Sequence, residues 1–388
     1  MPILIEDLAY LETEIKNFRR DLHMYPELGF NETRTSFKIA EELKSSGVEV
    51  STEVGKTGVV GVLKKGHGTK NIMLRADMDA LPINEKISHH YTSKNPGVMH
   101  ACGHDGHTAM LLGAAKFLAN NDCFSGTVYF VFQPNEEHGL GAKAMLEDGL
   151  LERFPAKEIY GIHNLPGAPL GEFSTRVGVI CASETLFEIT IEGRGGHSSM
   201  PHLGVDTILV GSELVTSIQT IVSRKLDPGS TVVVSVTEFI SDGARNVLPG
   251  KTVLKGDIRA HYSKDRIKVQ KLLKQICNGV AKLHGVKIKI SIKNEFIETN
   301  NSKAQIENAI KAANGLGCKI ISDRPPMSFS EDFAQFASKI PGCFLLMGNG
   351  IEGANSQPLH SSDYDFNDEA LMIGAGFWSR LVSNQLKS

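Results

Sequence analysis

The densest run of reactive side chains is His100-Ala101-Cys102-Gly103-His104-Asp105-Gly106-His107, a thiol and three imidazoles in one short stretch. Soft and borderline donors this close together suit a transition metal. A surface loop around one buried thiol is the plainer reading. A second feature, Glu136-Glu137, follows the turn residues Pro134-Asn135. Adjacent side chains point in different directions, so one carboxylate can hold a metal while the other faces a substrate as a base. A solvated acidic turn is the alternative. His163 ends the apolar run Ile159-Tyr160-Gly161-Ile162, and His360 lies in the polar turn Pro358-Leu359-His360-Ser361-Ser362-Asp363. Each alone is equally explained as a hydrogen-bonded core or turn histidine. Taken together, these segments offer enough ligands for two cations sharing a bridge, with positions left open for water and substrate.

Further polar residues flank this set. Asp77 and Asp79, in Arg75-Ala76-Asp77-Met78-Asp79, could orient ligand histidines, as carboxylates commonly do, or form a salt bridge with Arg75. Gly193-Arg194-Gly195-Gly196-His197-Ser198-Ser199 places three glycines around one histidine. Glycine lets a backbone approach a ligand closely, and His197 could stabilise an oxyanion; a plain glycine turn is the rival. Asn246 and Arg259 are candidates to hold a carboxylate, because the planar guanidinium fork matches carboxylate geometry. By residue type alone, each also reads as an ordinary surface group.

The elements needed to position these residues are visible in the apolar patterning. Residues 6–22 and 33–43 carry one-sided helical spacing, and Gly47 follows where the second helix should stop. Apolar runs at 71–76, 127–132, 159–162 and 343–347 each end in polar residues, with helical stretches such as 108–118 between some of them. Short buried strands separated by helices predict an α/β domain with a mostly parallel sheet. Ligands bind such sheets at the carboxyl ends of the strands, where most of these candidates fall. Residues 185–193, 205–222, 230–239, 252–262, 265–283 and 286–292 read strand, helix, strand, strand, helix, strand, the order of a ferredoxin-like split unit. The expected organisation is a catalytic domain at 1–182 and 297–388, interrupted by an inserted lid or dimerisation domain at 183–296. Open sheet edges in such an insert could pair with a second copy.

A chain of 388 residues exceeds the roughly 100–200 usual for one domain, which agrees with two. Lys and Arg number 41 against 44 Asp and Glu, so no broad basic face suggests nucleic acid or an anionic membrane. No apolar run approaches the roughly 18 residues of a membrane span, and no secretory signal pattern opens the chain. The six scattered cysteines, Cys102, Cys123, Cys181, Cys277, Cys318 and Cys343, point to reduced thiols and a cytoplasmic location rather than a disulfide framework.

Several ordered motifs resemble the metallo-aminoacylase and carboxypeptidase family with co-catalytic metals. They run from Arg19-Arg20-Asp21-Leu22-His23-Met24-Tyr25-Pro26-Glu27-Leu28, through residues 75–82, 100–108, 133–137 and 195–201, to Asn246-Val247-Leu248-Pro249 and Leu359-His360-Ser361-Ser362-Asp363. The similarity is strongest to the branch of hippurate hydrolase, N-acyl-amino-acid amidohydrolases and plant auxin-conjugate hydrolases. It implies metal ligands at Cys102, His104, Glu137, His163 and His360, with Glu136 as general base. It also implies that His197, Asn246 and Arg259 contact the substrate. The wider family often carries a ligand histidine near Asp77 and a bridging aspartate where Cys102 stands; this sequence has neither, as the branch would. Branch members are described as manganese enzymes, and a thiolate would equally accept zinc, cobalt or nickel. The implied reaction is hydrolysis of the amide bond of an N-acyl amino acid, best matched by hippurate (N-benzoylglycine). The alternatives are a dipeptidase or carboxypeptidase, an N-acetyl-amino-acid deacetylase, and a non-catalytic metal- or ligand-binding protein, the last disfavoured by the presence of Glu136.

Overall fold

The computed structural model describes residues 2–387, which divide into two compact units. The first comprises Met1–Ile180, Thr299–Pro325 and Asp332–Ser388. Its eight-stranded sheet runs in the order Glu49–Val54, Gly58–Lys65, Gly126–Gln133, Asn71–Asp77, Ile159–Pro166, Gly342–Gly350, Phe173–Ser174, Ile320–Ile321. The central four strands pair in parallel, while the Gly58–Lys65 side and the contact of Gly342–Gly350 with Phe173–Ser174 are antiparallel. Parallel strands have helices over both faces, so they read as continuous apolar runs. Asn71–Asp77 is buried from Ile72 onward, and Gly126–Gln133 is buried from Val128 to its end.

Helix His104–Asn120 is buried along residues His104 to Leu118, with no polar stripe. A helix apolar all round belongs in an interior, and this one shares a core with helices Glu12–Met24 and Ala370–Gln385. It begins four residues before the apolar period at 108–118 would place it. Gly103, at φ 90°, turns the chain into the helix, and a Cβ there would meet Asn164 Nδ2 at 2.4 Å and the Tyr364 hydroxyl at 2.5 Å. His104 and His107 thus stand on the first turn of a helix, not in a loop.

The second unit is Cys181–Glu298 with Pro326–Glu331. Its four-stranded antiparallel sheet has the order Val232–Ser241, Lys251–Ala260, Ser183–Glu192, Lys287–Phe296. Helices Thr207–Thr220 and Ser263–His284 supply the apolar side of its separate core. Strand Ser183–Glu192 alternates buried and more exposed residues along its length, as a sheet covered on one face requires. Chain order and strand order together are those of a ferredoxin-like split unit. The short segment Pro326–Glu331 joins it through backbone bonds from Ala182 N to Met327 O (3.1 Å) and Phe329 O (3.0 Å). Among the described residues, no helix is long and apolar enough to cross a membrane.

Candidate active site

The carboxyl ends of the central strands carry the candidate residues of the first unit. Asp77 ends its strand and Asp79 lies just beyond; Asn135, Glu136 and Glu137 follow Gln133. His163 sits within Ile159–Pro166 rather than after it, because that strand extends past the apolar run. Cys102 and His104 lie at the amino end of helix His104–Asn120, and His360 is in the late turn, where its N–H donates to Ala101 O at 2.8 Å.

Several donor triads form here, among them Cys102, His104 and His163; Cys102, Glu137 and His360; and His104, Glu136 and Glu137, the ligand atoms within each lying inside 4.8 Å. Cys102 is common to the first two. His104 Nδ1 faces Asp79 twice, at 3.0 Å from its carbonyl and 3.1 Å from Oδ1. A proton on Nδ1 therefore leaves Nε2 with a lone pair aimed at the cluster. That buried Nε2 has no hydrogen-bond partner, and neither does the buried Glu137 Oε1. His163 is fixed the same way, Nδ1 lying 2.8 Å from Asn164 O and Nε2 3.4 Å from Cys102 Sγ. Glu137 Oε2 lies 3.4 Å from His360 Nε2.

The electrostatics agree with a missing positive charge. Burial, then the carboxylates of Glu137, Glu136 and Asp77, push the Cys102 thiol well above its ordinary pKa, so a thiolate here requires a cation beside it. Burial and neighbouring imidazoles keep His163 neutral, the ligating form. For His104 burial opposes the charge, but Asp77, Asp79 and Glu137 outweigh it and raise the pKa to about 10. Orphaned buried donors and a thiol–imidazole–carboxylate set fit a pair of borderline divalent cations.

Supporting residues tie the cluster down. Asp79 serves two residues of the cluster at once, since its Oδ2 also accepts the Glu137 N–H at 3.0 Å. Asp77 instead holds His107, with 2.6 Å between Oδ1 and Nδ1, and pairs with Arg75 at 2.7 Å. The backbone N–H of Asn164 donates to His107 Nε2 at 2.9 Å, and its side-chain amide donates to Cys102 O at 2.6 Å. Glu136, 6% exposed, accepts the Asp332 N–H at 3.2 Å. Asp332 is itself gripped by Arg75 (3.0 Å) and Gln133 (2.8 Å). Asn135 adopts φ 46°, its N–H held at 2.8 Å by the buried Glu32. Desolvation lifts the Glu32 carboxyl to about 7. Asn164, Asp332 and Glu32 escaped the sequence reading: Asp332 and Glu32 lie far along the chain from the residues they support, as Asn164 does from Cys102 and His107, with no periodic signal.

In the second unit His197 and Asn246 come together: His197 pairs with Val247 across a short ladder, and Ser198 N–H donates to Asn246 O at 3.0 Å. His197 Nδ1 lies 2.8 Å from the Ser199 hydroxyl. Arg259 stands on Lys251–Ala260 and is already engaged, by Asp257 (2.8 Å), Ser330 (2.9 Å) and Glu184. A substrate carboxylate would share that guanidinium with two acids.

A mostly parallel sheet carrying a thiol–imidazole–carboxylate donor cluster, interrupted by a ferredoxin-like insert, defines a hydrolase of the metallopeptidase type. The chain belongs to Peptidase family M20/M25/M40, which matches residues 73–384. It is 40% identical to the hippurate hydrolase of Campylobacter jejuni, over 99% of this chain and all of that one. It is 38% identical to IAA-amino acid hydrolase ILR1-like 4 of Arabidopsis thaliana, covering 95% of this chain and 84% of that protein. Among solved structures it resembles a Bacillus subtilis protein described as a dinuclear metal binding peptidase of the M20 family, with TM-score 0.85 and 31% identity over 98% and 99% of the two chains.

Proposed function

We propose that this enzyme hydrolyses the amide bond of N-acyl amino acids, with N-benzoylglycine as the best-matched substrate, at the cluster centred on Cys102. The observation that carries the proposal is the pair of donor triads sharing Cys102, with Glu136 close enough to group with His104 and Glu137. Cys102, His104, Glu137, His163 and His360 would hold two divalent cations, of manganese, zinc, cobalt or nickel. When bound, such a pair acidifies a shared water and polarises the scissile carbonyl.

The remaining work falls to the chain. Glu136 accepts a proton from the attacking water as the C–O bond forms, then delivers it to the amine nitrogen as the C–N bond breaks. The Asp332 N–H keeps its carboxylate aimed without competing for the proton. Asp79 and Asn164 hold His104, Glu137, His163 and Cys102 in place, so little reorganisation accompanies the reaction. For the substrate's own carboxylate, the inserted unit offers Arg259 and Asn246, with His197 as a donor to an oxyanion. Exposed Val233, Phe239 and Ile240 on the edge strand Val232–Ser241 support pairing of that unit with a second copy, which light scattering tests.

The deciding experiment is a substrate panel on metal-loaded protein: benzoylglycine, acetyl-amino acids and dipeptides, with chelated enzyme and Glu136→Gln as controls. Preferred turnover of acylated amino acids, abolished by chelation, is expected. Faster turnover of dipeptides would reassign the enzyme as a peptidase, and turnover unaffected by chelation would remove the metal-centred mechanism.

A further inference from the structure

A second knot of histidines and carboxylates lies outside the Cys102 cluster, at the end of helix Glu12–Met24. His23, in the last turn of that helix, is fully buried. Its Nδ1 is 2.8 Å from Asp105 Oδ2 and its Nε2 is 3.0 Å from Glu85 Oε1. His89 brings its own Nε2 to 3.2 Å from the same Glu85 oxygen, its ring stacked on Tyr91 with 3.7 Å between centroids. The three donor atoms lie within 4.8 Å of one another.

Hydrogen bonding alone leaves this knot incomplete. His89 Nε2 is buried and makes no hydrogen bond, despite its distance from Glu85. His100, 1% exposed, has no hydrogen-bond partner at either ring nitrogen, and its ring centre lies 6.3 Å from that of His23. Buried polar atoms left this way in a folded protein call for an ion or a water. Charge favours the ion: Asp105, Asp365 and Asp368 pair with the two guanidiniums of Arg19 and Arg20, while Glu85 lies against the imidazoles of His23 and His89. With the histidines neutral, an excess of negative charge remains.

We propose that His23, Glu85 and His89 bind a third divalent cation, separate from the pair at Cys102. Two imidazoles and one carboxylate suit zinc or a neighbour in its series, with the fourth position taken by water. Asp105 at His23 Nδ1 supplies the carboxylate–histidine contact that presents Nε2 to a metal. The cation ties residues 83–98, a segment without helix or strand that is flanked by the Leu81–Met99 bridge, through His23 to Asp105 in the first turn of helix His104–Asn120. A protonated His23 bridging Asp105 and Glu85 is the competing arrangement.

The inference stands independently of the amidohydrolase reading. Chelator-stripped full-length enzyme is dialysed against Zn²⁺ and bound metal is counted by elemental analysis. A parallel Co²⁺ arm follows the thiolate–cobalt absorption of Cys102, which reports the catalytic cluster alone. Wild type should hold about three equivalents and His89→Ala about two, with the thiolate band unchanged. Glu85→Gln, checked like His89→Ala for a native thermal transition, should match it. Wild type saturating at about two equivalents, or variants binding as much metal as wild type, overturns the proposal. Loss of an equivalent in His89→Ala without any thiolate band in wild type would support this site and count against the Cys102 cluster.

Discussion

Replacing Glu136 with Gln separates proton transfer from metal binding at this centre. Gln has the same shape, and its carbonyl oxygen can still accept the Asp332 N–H that Glu136 takes at 3.2 Å. Glu137, the neighbouring proposed ligand, keeps its own backbone bond to Asp79. The Asp332 backbone contact therefore survives the change, while the basicity of the group is lost. A positioned general base contributes about 10²–10⁴-fold. At ~1.36 kcal/mol per tenfold, that is about 3–5 kcal/mol of barrier. The assay is release of glycine from saturating benzoylglycine by metal-loaded enzyme, with metal counted on the same samples. Expected is a fall in kcat of that size, an unchanged KM within a few-fold, and metal content equal to wild type. Turnover within about threefold of wild type would refute the role of Glu136. A parallel loss of metal would refute the division of labour between Glu136 and Glu137.

Three further outcomes are expected. His104→Ala removes a proposed ligand whose buried Nε2 makes no hydrogen bond, so bound metal should drop by about one equivalent on elemental analysis; unchanged stoichiometry would take His104 off the ligand list. Asp79→Ala releases both His104 Nδ1 and the Glu137 N–H, and should weaken metal affinity by about 10–100-fold in competition with a chromophoric chelator; an unaltered affinity would count against the supporting role. Glu32 has its pKa raised in the folded state from 4.5 to about 7, chiefly by burial, so its contribution to stability is full below about pH 4.5 and is lost as pH rises through 7. Wild type should consequently lose up to about 3 kcal/mol relative to Glu32→Gln across that window in urea melts, and parallel pH curves for the two proteins would contradict it.

Much of the architecture is legible in the sequence because buried parallel strands and a half-exposed antiparallel sheet leave different signatures. The runs at 72–76 and 128–133 are continuous, while Ser183–Glu192 alternates. The reactive residues are legible where chemistry is concentrated in sequence, as at Cys102 and His104 or at Glu136 and Glu137. What stays hidden is support arriving from a distance. Asp332 reaches Glu136 from a segment with no pattern of its own, and Glu32 reaches Asn135 across 103 positions. The ion pairs that occupy Arg259 depend on Glu184 lying opposite it on the paired strand, a matter of register rather than composition. Likewise, the start of helix His104–Asn120 is set by a left-handed glycine and not by apolar spacing.

The placement of Gly342–Gly350 has a consequence for biosynthesis. This strand pairs with Ile159–Pro166 in parallel, although the whole inserted unit is translated between them. As the polypeptide leaves the ribosome, Ile159–Pro166 waits with one flank unzipped and its apolar side chains ready to stick to any passing strand. The insert has a separate core and can mature during that wait, whereas the half-made sheet cannot seal itself. Nascent chains stalled before residue 342 should therefore be the aggregation-prone, chaperone-dependent species.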